Sequence, residues 1–311
     1  MDRYEFTAGI DYSDIVAASE RVAWTVDDVF RDRQFDAARP VVPAGWVATR
    51  SLSFLSEEEQ CVLNHCRAFS YAHLLGNFEE FAPPHLASIV EHDWHDERPR
   101  LRALVRFADE ELKHQQLLRR TELVLEQSCR HSFVRYFDAD KVRVKALTEA
   151  ILDHPPLPRF LMVLALEWGT QRHYVDSIRD RTTDHGDALY VDVLKAHWTE
   201  EAQHTKSDVL EIARLARTMS QDELDVAFDH VLALGGLVDT AFAGQAAAEI
   251  ETLRQVTGRT LSEDQTKTLH RTLHRSLGGI FASIGLSHPH FARVALALSL
   301  NGAAKLGISA A

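Results

Sequence analysis

The sequence predicts an all-α protein, a four-helix bundle with additional helices at both ends. Three observations predict it. Almost every long segment of the 311-residue chain carries apolar residues at helical rather than alternating spacing. No Asn-Gly or Asp-Gly turn lies between alternating runs, so hairpins have no signal. Helix starts are marked at capping-box spacing by Ser56 with Glu59, Ser220 with Glu223, and Ser262 with Gln265.

The elements follow in order. Residues 1–50 read as one or two short helices and an extended arm, in which Pro40 and Pro43 block a helix. Ser56 opens a first long helix running to about residue 92, with a kink expected at Pro83-Pro84. A second runs from about Arg100 to Gln127. The stretch 128–157 has no clear pattern, and HPPLP (154–158) forces a break. A third helix covers about 158–180, the polar RTTDHGD (181–187) makes a turn, and a fourth covers about 187–217. Residues 51–217 are therefore the bundle. Residues 218–311 supply further helices packed on it, from Ser220, from Ser262, and from SHPH (287–290) to near Asn301-Gly302, within a single domain overall.

Composition narrows the function. Hydrophobic residues make 45% and charged residues 26%, as in ordinary globular proteins. A net charge of −12 argues against nucleic-acid binding, which needs a basic patch. Three cysteines (Cys61, Cys66, Cys129) form no disulfide framework, and the acidic N-terminus lacks an apolar signal core, so a cytoplasmic location is expected. The most apolar stretch, 231–244, is interrupted by Asp239 and glycines, so no membrane association is expected.

The chemistry concentrates in HWTEEAQH (197–204). A Glu-x-x-His pair occurs twice, as Glu111 with His114 and Glu201 with His204. With 22 glutamates and 17 histidines in the chain, about one such pair is expected by chance, so context has to carry the signal. Both pairs lie mid-helix, and both follow a second glutamate, Glu110 or Glu200. Residues three apart on a helix share a side. One Glu on each of two helices and Glu-x-x-His on each of the other two build a two-metal carboxylate site. The remaining glutamates fall at the right places. Glu79 or Glu80 sits on the first helix. Glu167 lies on the third, after six apolar residues, where burying a lone carboxylate would be costly. Glu79 shares a face with Ala72, Leu75, Ala82 and Leu86, and Glu80 lies one position off. His197 shares a face with Glu201 and His204, as either a further ligand or a histidine beside the site. Glu110 and Glu200 would sit just off the ligand faces, accepting the free N–H of the ligating histidines.

In this pattern the chain resembles the ferritin-like di-iron carboxylate proteins, and within them the para-aminobenzoate N-oxygenase family and its bacterial relatives. The resemblance covers roughly residues 50–215 and rests on EEF, FADEELKH, EWGTQRHY and HWTEEAQH. In that family the fourth helix reads His-x-x-x-Glu-x-x-His, matched by His197, Glu201 and His204. The resemblance implies seven protein ligands, the others being Glu79 or Glu80, Glu111, His114 and Glu167. Nothing in the motifs carries the arylamine substrate across.

The expected function is a non-haem di-iron oxygenase or oxidase holding two Fe ions. Mn/Fe or dimanganese occupancy stays open, because the same donors accept either. O2 would be co-substrate, a small organic molecule would be oxidised by N-oxygenation or hydroxylation, and a separate electron donor would be needed. The alternative is a metal-handling protein, a ferroxidase or peroxide scavenger; a bundle used only as a scaffold is a third reading. The C-terminal helices fit a closed pocket or a homodimer. Gln171, Arg172 and His173 either line a substrate pocket or form plain helix surface. Trp168, Tyr174, Trp198 and Tyr71 read as packing rather than as redox groups.

Overall fold

The computed structural model describes residues 3–93, 98–137, 142–180, 184 and 186–309, and these contain helices and no strand. Two short helices come first, α1 (Tyr12–Arg21) and α2 (Val26–Phe30). Then follow α3 (Glu57–Phe78), α4 (Ala82–Asp93), α5 (Arg98–Cys129), α6 (Val142–Leu152), α7 (Pro156–Tyr174) and α8 (Ala188–Ala216). The C-terminal part holds α9 (Gln221–Thr257), α10 (Glu263–Gly278), α11 (Ile284–Leu286), α12 (Pro289–Leu298) and α13 (Leu300–Lys305).

The bundle is α3, α5, α7 and α8, with α3 packed on α5 and α7 on α8, and α5 meeting α8 across the middle. α9 covers α3 and α7, and α10 lies on α9. One contiguous apolar core joins the N-terminal arm (Phe6, Val41, Trp46) to the bundle and to Phe281 and Phe291 near the C-terminus. The three capping boxes form at α3, α9 and α10. Gly258 ends α9 in the left-handed conformation, φ 69°, which lacks steric cost only for glycine.

Several expectations are corrected. The first long helix breaks at a 3-10 turn, Glu79–Phe81, before the prolines rather than at them. Pro83 and Pro84 occupy the first turn of α4, where a missing N–H costs no intrahelical bond. The patternless stretch contains α6. α7 ends in a π-helical turn, Val175–Arg179, and the chain's last helix extends to Lys305 after a break at Ser299. α9 runs unbroken through Gly235, Gly236 and Asp239, and it is the one helix among the described residues long and apolar enough to cross a membrane. Each glycine costs about 1 kcal/mol of helix propensity, which the packing of Leu234, Val238 and Phe242 into the core outweighs. Part of the charged stretch 91–97 and of the turn 181–187 lies outside the described residues.

α7 is pinned by close backbone packing. A Cβ on Gly285 would stand 1.8 Å from the Ala165 carbonyl oxygen, and one on Gly169 would stand 2.7 Å from that of Phe281. Only hydrogen at both positions lets α11 approach α7 this closely.

Candidate metal centre

Four chain segments deliver charged side chains to one buried point. Glu79 comes from the 3-10 turn after α3, Glu111 and His114 from α5, Glu167 from α7, and His197, Glu201 and His204 from α8. None of these is more than 8% exposed. The tighter 3-10 turn carries Glu79 inward, and Gln115 Nε2 donates to its carbonyl oxygen at 3.1 Å. Glu80 is directed elsewhere: its carboxylate takes a 2.6 Å bond from Arg119. Of the two first-helix candidates, only Glu79 joins the cluster.

Glu201 is the central carboxylate. Its Oε1 lies 3.2 Å from His114 Nδ1, 3.2 Å from His197 Nε2 and 3.5 Å from His204 Nδ1. Glu111 Oε1 is 3.0 Å from His204 Nδ1, and Glu167 Oε1 is 4.0 Å from the same nitrogen. His197 Nε2 lies 2.8 Å from Glu79 Oε1, in hydrogen-bond contact. Two groups of four could each hold a metal ion: Glu79, His114, His197 and Glu201, and Glu111, His114, Glu201 and His204. They share His114 and Glu201; a carboxylate can serve two ions at once, whereas the one nitrogen that His114 turns inward, Nδ1, serves only one of them.

The outer ring nitrogens are held across the bundle. His114 Nε2 of α5 lies 3.0 Å from Glu200 of α8, and His204 Nε2 of α8 lies 3.0 Å from Glu110 of α5. This reciprocal arrangement leaves both Nδ1 atoms facing the cluster. Carboxylates so placed fix the tautomer and raise the basicity of a ligating imidazole. Lys113 Nζ bonds Glu200 at 2.5 Å, and Ser19 of α1 donates a short bond to Glu110. The Trp24 ring stacks on His114 with centroids 6.0 Å apart, 7° from parallel.

The donor set fits a hard or borderline metal ion. Buried polar atoms in proteins ordinarily find partners. Here the Nδ1 atoms of His114 and His204, one oxygen each of Glu79 and Glu111, and both oxygens of Glu167 make no hydrogen bond. The electrostatics agree. Burial, with the nearby Glu201 charge, pushes Glu79 up to about 8. Burial also raises Glu111 and, together with Asp208, holds Glu167 well above the carboxylate range. His114 rises to about 10 against its burial, through Glu200 and Glu201, whereas burial pulls His197 down to about 4. Protons and imidazolium charge balance the carboxylates, the role a metal cation takes when ligands bind it and lose their protons.

Asp208 is a residue that the motif reading missed. It is fully buried, and its carboxyl group lies against that of Glu167 and near His204. It continues the α8 stripe of His197, Glu201 and His204 by four residues, and following that stripe one turn further would have found it. Ser19 and Trp24 had no local signal. A cavity of about 40 Å³ opens on the cluster: Glu79, Glu111, Glu167, His197 and Glu201 form one wall, and Phe78, Phe81 and Leu166 are part of an apolar wall opposite. Gln171, Arg172 and His173 do not line it. Gln171 donates to the Glu201 carbonyl, Arg172 pairs with Asp176, and His173 packs on Trp46 with centroids 4.2 Å apart. Trp168 stacks on His288, Tyr174 lies against Trp198, and Tyr71 packs between Trp46 and Phe281.

Fold and site together define an all-α protein whose bundle buries a carboxylate–imidazole cluster able to hold a metal ion. No family model matches the chain, and no curated protein does.

Proposed function

We propose that this protein is a non-haem di-iron oxygenase or oxidase that uses dioxygen to oxidise a small organic substrate. The observation that carries the reading is the burial of Glu79, Glu111, His114, His197, Glu201 and His204 in two overlapping donor groups, with Glu167 outside both groups but beside them, its Oε1 4.0 Å from His204 Nδ1. Those residues would hold the ions, with His197 as a further donor. Bound there, two redox-active ions supply electrons and Lewis acidity for dioxygen chemistry. The chain supplies the rest. Glu110 and Glu200 orient the imidazoles, and Phe78, Phe81 and Leu166 wall the cavity on the cluster against water. The motif resemblance to the N-oxygenase family supports the ligand pattern only. A separate electron donor completes the cycle.

A second reading, a ferroxidase or peroxide scavenger, is favoured by the size of the cavity. At about 40 Å³ it suits dioxygen, peroxide or water and not an organic molecule. Elemental analysis and oxygen uptake separate the readings. Two ions per chain, lost in a Glu167→Ala, Glu201→Ala variant, are expected. Oxygen consumption that depends on an added organic substrate supports the oxygenase. Consumption stoichiometric with added Fe(II) alone supports metal handling. A chain that binds no iron after anaerobic loading defeats both.

A further inference from the structure

Arg159 sits near the start of α7 and is only 6% exposed, yet it has no ion pair among the described residues. Its Nε makes no hydrogen bond, and burial alone pulls its basicity down. A buried guanidinium without a carboxylate is rare, because its desolvation goes uncompensated. The position adds to the cost. The N-terminal end of a helix carries partial positive charge, which favours anions and disfavours cations. Pro156 and Pro158 also remove two of the N–H groups that α7 would otherwise offer there. The guanidinium is thus a donor without a carboxylate partner at this end of the helix.

Arg159 lines a cleft of about 420 Å³ together with Pro84, Ser88, Leu152, Leu215 and a second arginine, Arg214, which is already paired with Glu211 at 3.0 Å. That volume lies within the roughly 300–1,000 Å³ of small-molecule sites. The cleft and the metal-side cavity are walled by the same two helices. On α4, Ala82 lines the cavity and Ser88 the cleft; on α7, Val163 and Leu166 line the cavity and Arg159 the cleft. Arg159 precedes Glu167 by eight residues, about 12 Å along the helix axis. His85 of α4 is 1% exposed, with neither ring nitrogen hydrogen-bonded and its ring 4.4 Å from that of Phe160.

We propose that Arg159 anchors the anionic head group, carboxylate or phosphate, of an amphiphilic substrate whose apolar body runs between α4 and α7 towards the metal cluster. This assignment rests on the oxygenase reading. It identifies the substrate class as an organic anion with an apolar body.

The test is calorimetric titration of the purified full chain with decanoate, decyl phosphate and decanol, for wild type and Arg159→Met. At least one anion should bind wild type and bind the variant tenfold or more weakly, with decanol binding both alike. The tighter of the two anions identifies the head group. Equal binding of the anions to wild type and variant overturns the anchor, and so does decanol binding wild type as tightly as the anions. Acetate or inorganic phosphate binding as tightly as the decyl ligands overturns the amphiphile and leaves a bare anion site. Should the variant fail to fold, wild type alone decides: the decyl anion should protect Arg159 from phenylglyoxal, read by peptide mass, and absence of protection overturns the assignment. None of these readouts requires turnover, so failure here is distinguishable from failure of the oxygenase reading, which metal content and oxygen uptake decide.

Discussion

Replacing Glu167 with methionine should make the metal-free protein more stable and the metal-loaded protein comparatively less so. Glu167 is 7% exposed, neither oxygen is hydrogen-bonded, and it faces the equally buried Asp208. Burial first, then Asp208 and Glu201, raise its pKa well above the usual carboxylate value. For an acid raised in the folded state, the stability cost is present at neutral pH and fades as pH falls below the unfolded value, about 4.3. Methionine is similar in length and carries no charge to desolvate. Replacing buried ionic groups with apolar residues of similar volume is often neutral or stabilising, by roughly 1–4 kcal/mol. Each kcal/mol shifts Tm by about 2–4 °C in chains of 150–250 residues, and by less in a longer one. Calorimetry of the metal-free proteins at pH 7 should therefore place Glu167→Met several degrees above wild type, with the gap closing near pH 4. With metal at a hundredfold excess over Kd, wild type should gain about 2.7 kcal/mol and the variant clearly less. A metal-free variant that melts below wild type would refute the reasoning, since it would mean that Glu167 holds the fold together through its own contacts.

The other predictions concern the imidazole supports, the protons and the packing. Glu200→Gln removes the carboxylate that holds His114 Nε2 and should weaken metal binding about 10–100-fold, measured by competition with a chromogenic chelator. Metal binding should release protons into weak buffer at pH 7, because Glu79 (about 8) and His114 (about 10) must lose theirs. Affinity should accordingly rise with pH across this range, and a pH-independent affinity would contradict it. Gly285→Ala forces a methyl group into the Ala165 carbonyl and should cost about 1–3 kcal/mol or more, read as a lower denaturant midpoint. Ser220→Ala breaks the capping box of α9 and should cost about 1 kcal/mol; an unchanged midpoint would show that tertiary packing alone sets that helix end.

Much of this protein is legible in the chain because its signals are local. The capping boxes at Ser56, Ser220 and Ser262 depend on residues three apart, as do Glu111 with His114 and Glu201 with His204. Helical periodicity settles which side chains share a face, so the all-α class and the order of donors along four segments follow from spacing alone. The tertiary structure decided what depends on long-range distance or on departures from ideal helix. The 3-10 turn at Glu79–Phe81 breaks the 3.6-residue period and directs Glu79 inward while Glu80 meets Arg119. The exchange of Glu110 and Glu200 between α5 and α8 joins residues about ninety positions apart. Trp24 over His114, Ser19 on Glu110, Asp208 against Glu167 and the unpaired Arg159 appear only once helices are packed. The division has one physical cause. Propensity and periodicity act within a few residues, whereas burial, and with it the cost or use of each charge, is set by which helices come to lie together.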